Sequence, residues 1–134
     1  MKQGRVSMPG IKISPDVWAT FLEDFSKRHA RWWVAIETHD VETKEQVTSH
    51  LARLRSIELD LEDATNPRIN VTVFYDSKEI KHILFRPSQV TLHLSEQDDE
   101  DYLRVRSVHT KTSIRLLGEP ARPFLELQKR KSLR

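Results

Sequence analysis

The hydrophobic pattern of the chain changes its period once, near Arg31, and this change limits the folds open to it. Upstream, Trp18, Phe21, Leu22 and Phe25 recur at helical spacing, so they form one apolar stripe along an α-helix. Downstream, apolar and polar residues alternate, as in half-buried strands. The pattern predicts an N-terminal amphipathic helix followed by an antiparallel sheet, an α+β fold that is mostly β.

The predicted helix has a recognisable signal at each end. Ser14 is a suitable N-cap, and Pro15 suits the first helical position because its missing amide is not needed there. Three cationic side chains at 27–29 lie where the helix dipole favours positive charge. These signals predict a helix over residues 15–29.

The alternating region predicts a sheet with one irregular strand. Ala52 and Leu54 share one parity, whereas Ile57 and Leu59 share the other. A slip of one residue near 55–56 indicates a β-bulge or a sharp bend. A long bent strand in an antiparallel meander predicts a curled sheet or a small barrel of six to seven strands. These strands begin near Trp32, Thr48, Ile69, Ile80, Val90, Leu103 and Ser113.

The domain organisation follows from length and from the positions of turn residues. A chain of 134 residues is the usual size of a single domain. Residues 1–13 are expected to be a flexible N-terminal lead-in, because Pro9 and Gly10 interrupt regular structure. Residues 14–118 are expected to form a single helix-plus-sheet domain. Residues 119–134 form a basic C-terminal tail.

Composition excludes several kinds of site. None of the three glycines lies between Ile11 and Leu117, so neither a phosphate-binding loop nor a dinucleotide fingerprint is present. The chain has no cysteine, which excludes thiolate metal sites, disulfides and cysteine nucleophiles. No serine-nucleophile motif is present. We therefore assign no catalytic residues and no cofactor, and the sequence favours a non-enzymatic protein.

The chain is expected to be cytoplasmic. No apolar run approaches the roughly 18–20 residues of a membrane span. Residues 1–9 contain basic side chains but no apolar segment of the secretory type. The sequence therefore predicts no membrane span.

Titratable residues give weaker indications of a site. His50, His82 and His93 would converge across a hairpin if they share a face, and this leaves a histidine-based metal protein or enzyme as a hypothesis. Ordinary hydrogen-bonded strand histidines explain the same residues, and we assign no metal ligands. Glu58 and Asp60 alternate with apolar residues, which indicates a solvated strand face.

Arginines on predicted strands suggest a nucleic-acid surface. Arginines beside an exposed aromatic side chain neutralise phosphates and stack on bases. Cross-strand pairing of these arginines with Glu58, Asp60 and the acidic residues at 96–101 also explains them. The sequence favours this pairing, because the acidic residues are near in sequence and the net charge of +2 is small. The candidate nucleic-acid residues are Trp33, Arg53, Arg55, Arg86, Arg104 and Arg106, with Lys129, Arg130 and Lys131 of the tail.

One segment resembles a known family. The helix Val17–His29, with its Trp-x-x-Phe-Leu-x-x-Phe-Ser-x-x-His pattern, is followed by a strand that begins with tryptophan. This pattern is similar to the opening of an uncharacterised bacterial family catalogued only as a domain of unknown function. The resemblance continues through His82 and Pro87 to about Leu117, and it implies no activity.

A second resemblance concerns topology. Sm-like RNA-binding proteins also begin with a helix and continue into a sheet with a strongly bent second strand. Phe85-Arg86 followed by Val90-Thr91-Leu92 is similar to one of their signatures, although Pro87 stands where that signature has glycine. The likeness implies a small-barrel shape, not a function.

These observations lead to three functional hypotheses. The first is a non-catalytic binding or accessory module that acts through contacts with an unknown protein partner or with itself. The second is a small barrel that binds single-stranded nucleic acid, RNA in particular. The third is the histidine-based metal protein or enzyme.

Overall fold

A computed structural model describes residues 10–121, 123 and 125–127, with the helix α1 and nine strands. A short 3-10 turn, Pro15–Val17, precedes α1, which spans Trp18–Arg28. All nine strands belong to one antiparallel sheet in the order β1-β7-β8-β9-β2-β4-β5-β6, with β3 paired to β2 beside this path. The strands are β1 Ile11–Ile13, β2 Trp33–Asp40, β3 Gln46–Thr48, β4 Ala52–Asp60, β5 Arg68–Tyr75, β6 Lys78–Phe85, β7 Gln89–Leu94, β8 Glu100–Arg106 and β9 Thr110–Gly118.

The predicted fold class is confirmed, but the strand count and the barrel are wrong. The described residues contain nine strands rather than six to seven. The two additional strands, β1 and β3, have three residues each, too few to show an alternating pattern. Within the described chain the terminal strands β1 and β6 each pair with one neighbour, β7 and β5. The sheet is therefore open and not a closed barrel.

The start of α1 differs in detail from the prediction. Ser14 precedes the first turn, but its hydroxyl donates to the Asp16 carboxylate and makes no capping bond to the backbone. The turn closes through the Val17 amide, which donates to the Ser14 carbonyl at 3.0 Å, and the α-helix begins at Trp18. In the described part of the chain, no helix has both the length and the apolar character needed to cross a membrane.

Helix α1 covers one face of the sheet, which we call the core face. Trp18, Leu22 and Phe25 of α1 are buried in one cluster with the inward side chains of the strands. This arrangement follows from the sequence, because the helical stripe and the alternating strand residues each bury one side. The opposite side of the sheet, the outer face, carries the polar members of each alternation. The inward strand residues include Val34, Leu54, Ile57, Ile69, Val71, Val90, Leu103, Val105 and Ile114.

The predicted irregularity in the long strand is confirmed, and α1 covers the strand edge beside it. The pairing of β4 with β5 shifts between Leu54 and Ser56. Strand β2 pairs with only two residues of β4, so the rest of the β4 edge that faces away from β5 needs a different partner. Ser26 of α1 provides one, since its hydroxyl accepts the Ile57 amide at 2.7 Å and donates to the Leu22 carbonyl at 2.7 Å.

The end of α1 is fixed to β8 by a buried histidine. His29 Nδ1 lies 2.9 Å from the Phe25 carbonyl, and its Nε2 lies 3.1 Å from Glu100 Oε1. The Arg28 guanidinium contacts the other oxygen of Glu100 at 2.7 Å. Burial lowers the pKa of His29, while the Phe25 carbonyl and Glu100 act in the opposite direction. A neutral ring carries only one N–H, so it can donate to only one of these two acceptors.

Candidate nucleic-acid interface

A groove on the outer face lies where β2, β4 and the β5–β6 hairpin meet. Trp33 pairs with Arg53, and Arg53 pairs with Phe74, so these three residues form one row across three strands. The groove has a volume of about 780 Å³, within the usual range for ligand sites. We call it the arginine–aromatic groove, and it is lined by Arg31, Trp33, Leu51, Arg53, Phe74, Tyr75, Asp76 and Ser77.

The centre of the groove is a cation–π pair. The Arg53 guanidinium carbon lies 4.4 Å from the centroid of the Trp33 ring, well inside the distance at which the ring quadrupole attracts a cation. At the hairpin side, His50 stacks on Tyr75 with ring centroids 5.4 Å apart. The planar Arg53 guanidinium therefore lies against the Trp33 ring at the centre of the groove, and the His50–Tyr75 stack lies at its edge.

Three residues with positive φ line this groove. Arg31, Asp76 and Ser77 have φ angles of 68°, 51° and 67°. Six non-glycine residues of the described chain have positive φ, and these three line the groove. Asp76 and Ser77 are the two loop residues of the β5–β6 hairpin, where positive φ is usual. Arg31 lies outside such a hairpin, so its positive φ, which costs on the order of 1 kcal/mol, is the one of the three that is typical of functional sites. The Arg31 amide donates to the Leu54 carbonyl at 2.8 Å, which holds this turn against β4.

The arginines predicted from sequence separate into four places. Arg53 lies in the groove, whereas Arg55 lies at the β4 bulge and forms an ion pair with Glu79 at 3.2 Å. Arg86 follows β6, and its amide donates to the Pro67 carbonyl at 2.9 Å. Arg104 and Arg106 lie on β8. The tail residues Lys129, Arg130 and Lys131 are outside the described residues.

Tyr102 occupies the middle of a side-chain ladder on the outer face. His93 stacks on it almost in parallel, with ring centroids 4.3 Å apart, and the Arg115 guanidinium lies 4.5 Å from the same ring. Arg115 in turn forms an ion pair with Glu37 at 2.9 Å. Both neighbouring strands thus place a planar group against Tyr102, so this ring does not offer a free face for stacking.

The ladder extends to the first strand. A β-carbon on Gly10 would lie 2.2 Å from Thr91 Cγ2 and 2.8 Å from the His93 ring, so any larger residue at this position would require these side chains to move. Burial lowers the pKa of His93, and the positive charges of Arg104 and Arg115 lower it further, against the effect of Asp101. His93 is therefore held in its uncharged form more strongly than an exposed histidine.

The three histidines considered for a metal site do not form one. His50 packs on Tyr75, His93 packs on Tyr102, and His82 lies on β6 with a pKa lowered by burial. Among the residues whose structure is described, no group of three or more histidine or carboxylate side chains is arranged to hold a metal ion.

Sequence reasoning did not identify Arg31, Phe74 and Tyr75 as site residues. Arg31 lies in the turn before β2, and the other two residues end β5. The available signal in the sequence was Asp76-Ser77, a pair typical of a two-residue hairpin loop. Such a loop would have placed the aromatic residues Phe74 and Tyr75 at the end of a strand.

Comparisons with known proteins identify the family to which the chain belongs. No curated protein and no solved structure matches the chain. Residues 11–122 match the family described as "Family of unknown function (DUF5335)", which confirms the resemblance to a domain of unknown function. Because the match covers most of the 134 residues, the chain belongs to this family of unknown function.

Proposed function

We propose that this protein is a non-catalytic binding module whose outer face binds single-stranded nucleic acid, RNA in particular. The observation that supports the proposal is the presence of Arg31 and Arg53 in a groove with Trp33 and Tyr75. Arginine binds phosphate through a planar fork of donors and also stacks on aromatic faces. Aromatic residues beside such cations are the usual elements of single-strand binding.

The charge state of the groove supports an anionic ligand. Among the described residues, neither Arg31 nor Arg53 forms an ion pair with a carboxylate, whereas Arg55, Arg68 and Arg115 do. The described lining of the groove contains one carboxylate, that of Asp76, and two guanidinium groups, those of Arg31 and Arg53. A phosphate would therefore meet two positively charged groups that the described structure leaves unneutralised.

A polarisation titration of single-stranded RNA tests the proposal. Each phosphate contact on a single strand contributes about 0.7 to the slope of log affinity against log salt. Two or three contacts predict that affinity falls roughly tenfold between 50 and 200 mM salt. A duplex of the same sequence is the control, because its stacked bases cannot reach aromatic side chains. Absent binding at low salt, or binding that is insensitive to salt, would contradict the proposal.

A second candidate function, binding of a protein partner, is supported by the edge strand β6. This strand pairs with β5 over eight uninterrupted positions and has no second neighbour among the described strands. Ile80, Ile83 and Phe85 on it are 38%, 40% and 50% exposed. An open edge of this length with apolar side chains is a typical site for addition of another strand.

For this second function, the partner that can be tested directly is another copy of the chain. Sedimentation of the purified protein over a range of concentrations should show a monomer–dimer equilibrium. Ile83→Asp should remove the dimer, because it places a charge at the paired edge, and Lys78→Asp at the hairpin end should have a smaller effect. A wild-type protein that stays monomeric at every concentration would exclude self-association through β6.

A further inference from the structure

A second pocket rich in cations lies on the outer face, at the end of β2 distant from the arginine–aromatic groove. It has a volume of about 400 Å³, and its lining includes His39, Asp40, Lys44, Arg104 and Lys111. Strand pairing brings these residues together, because Lys111 of β9 pairs with His39 of β2. Arg106 of β8 pairs with Lys111 and adds one more positive charge. We call Lys44, Arg104, Arg106 and Lys111 the distal cation cluster.

Two of these cations are held in place by local structure. The Arg104 Nε donates to the Ser113 hydroxyl at 3.2 Å, and its guanidinium carbon lies 5.4 Å from the Tyr102 ring centroid. Lys44 has a φ of 66°, and its amide donates to the Asp40 carbonyl at 2.9 Å. These contacts fix the direction of one side chain and the backbone position of the other.

The pocket carries a net positive charge. Within the described ranges, Lys44, Arg104, Arg106 and Lys111 form no ion pair with a carboxylate. Asp40 is the one acidic residue of the lining, and its carboxylate already accepts the amides of Glu42 and Thr43 at 2.9 Å. Those hydrogen bonds lower the pKa of Asp40. In the described structure, the pocket therefore contains one carboxylate, that of Asp40, which already accepts two hydrogen bonds, and several cationic side chains that have no carboxylate partner.

The two cationic sites lie along the same strand. Trp33 in the groove and His39 in the lining of the second pocket have the same parity on β2, so both belong to the outer face. The two positions are six residues apart on the extended strand, which corresponds to about 20 Å at roughly 3.3 Å per residue. Between the two sites, Glu37 neutralises Arg115. The positive charge on this part of the outer face is therefore concentrated near the two ends of β2.

From this arrangement we propose that the distal cation cluster is a second phosphate-binding site, and that one single strand of RNA contacts both it and the arginine–aromatic groove. This inference rests on the proposed function. The groove would hold the strand through stacking and phosphate contacts, and the cluster would hold a more distant phosphate without reading a base. A strand must extend over about 20 Å to reach both sites, so the contribution of the cluster depends on the length of the RNA.

Oligouridylates of 3 and 12 nucleotides distinguish the two sites. The double variant Lys44→Glu/Lys111→Glu should bind the 12-mer at least tenfold more weakly than the wild type, and its salt slope should fall by about 1.4, the value for two phosphate contacts. Its affinity for the 3-mer, measured with the same protein, should change by less than about twofold, because a short RNA occupies the groove alone.

The matched control is Lys27→Glu/Lys81→Glu, which alters the net charge equally on α1 and in the middle of β6. It should leave the affinity for the 12-mer near the wild-type value. If the distal variant binds the 12-mer as the wild type does while an Arg53 variant is impaired, the second site is wrong and the proposed function stands. Equal losses for both RNAs, or for both double variants, would also overturn the inference. If the wild type binds neither RNA, the proposed function fails, and the inference with it.

Discussion

The Arg53→Glu variant is expected to bind single-stranded RNA roughly thirtyfold more weakly than the wild type. Arg53 lies against Trp33 and has no carboxylate partner among the described residues. A hydrogen bond between charged groups contributes about 2 kcal/mol, which corresponds to roughly thirtyfold in affinity. The salt slope should also fall by about 0.7, since one phosphate contact is lost. Polarisation titrations at several salt concentrations measure both quantities.

Arg55→Glu is the matched control for this variant. The two arginines are two positions apart on β4, but the bulge places Arg55 in an ion pair with Glu79 outside the groove. Both substitutions change the net charge equally, so a general charge effect would weaken binding in both. Binding that is reduced to the same extent in the two variants would show that the groove is not the specific site.

The Phe25→Ala variant should lose about 3–5 kcal/mol of unfolding free energy, as is usual when a fully buried phenylalanine is truncated in a packed core. Phe25 is 0% exposed in the cluster that joins α1 to the sheet, and its ring lies 4.4 Å from that of His29. The loss is a large fraction of the roughly 5–15 kcal/mol of unfolding free energy of a typical domain. Urea unfolding followed by tryptophan fluorescence measures the change.

Phe21→Ala supplies the comparison for Phe25. Phe21 is one turn earlier on the same helix, and it is only partly buried against the core. Its truncation removes a similar side chain from a site that water already reaches, so the loss should be less than half as large. A similar loss in both variants would mean that α1 does not depend on the Phe25 contact in particular.

Much of the fold was predictable because it depends on patterns within single segments. The stripe of Trp18, Leu22 and Phe25 identifies α1, and the phase change beyond Leu54 identifies the bulge. Strands β1 and β3 were not predictable, since three residues are stabilised by their neighbours rather than by their own pattern. Closure of the sheet likewise depends on which edges meet, and the pattern within one segment does not show that.

The candidate site was only partly predictable because it depends on register between strands. Trp33 and Arg53 are visible as an aromatic residue and a cation on strands, but their contact follows from the two pairs that join β2 and β4. Arg53 and Arg55 look equivalent in sequence, and only the bulge separates them. Arg31 and Tyr75 enter the groove from a turn and a hairpin end, where hydrophobic periodicity gives no signal.

The short seam between β2 and β4 has a thermodynamic consequence. Only two residue pairs join these strands directly, and the arginine–aromatic groove lies across this seam, with residues from β2, β4 and the β5–β6 hairpin in its lining. A molecule bound there would hold the two halves of the sheet together, and it would have no such site on the unfolded chain. Ligand binding and unfolding are then linked equilibria, in which a ligand at one hundred times its Kd adds about 2.7 kcal/mol of apparent stability.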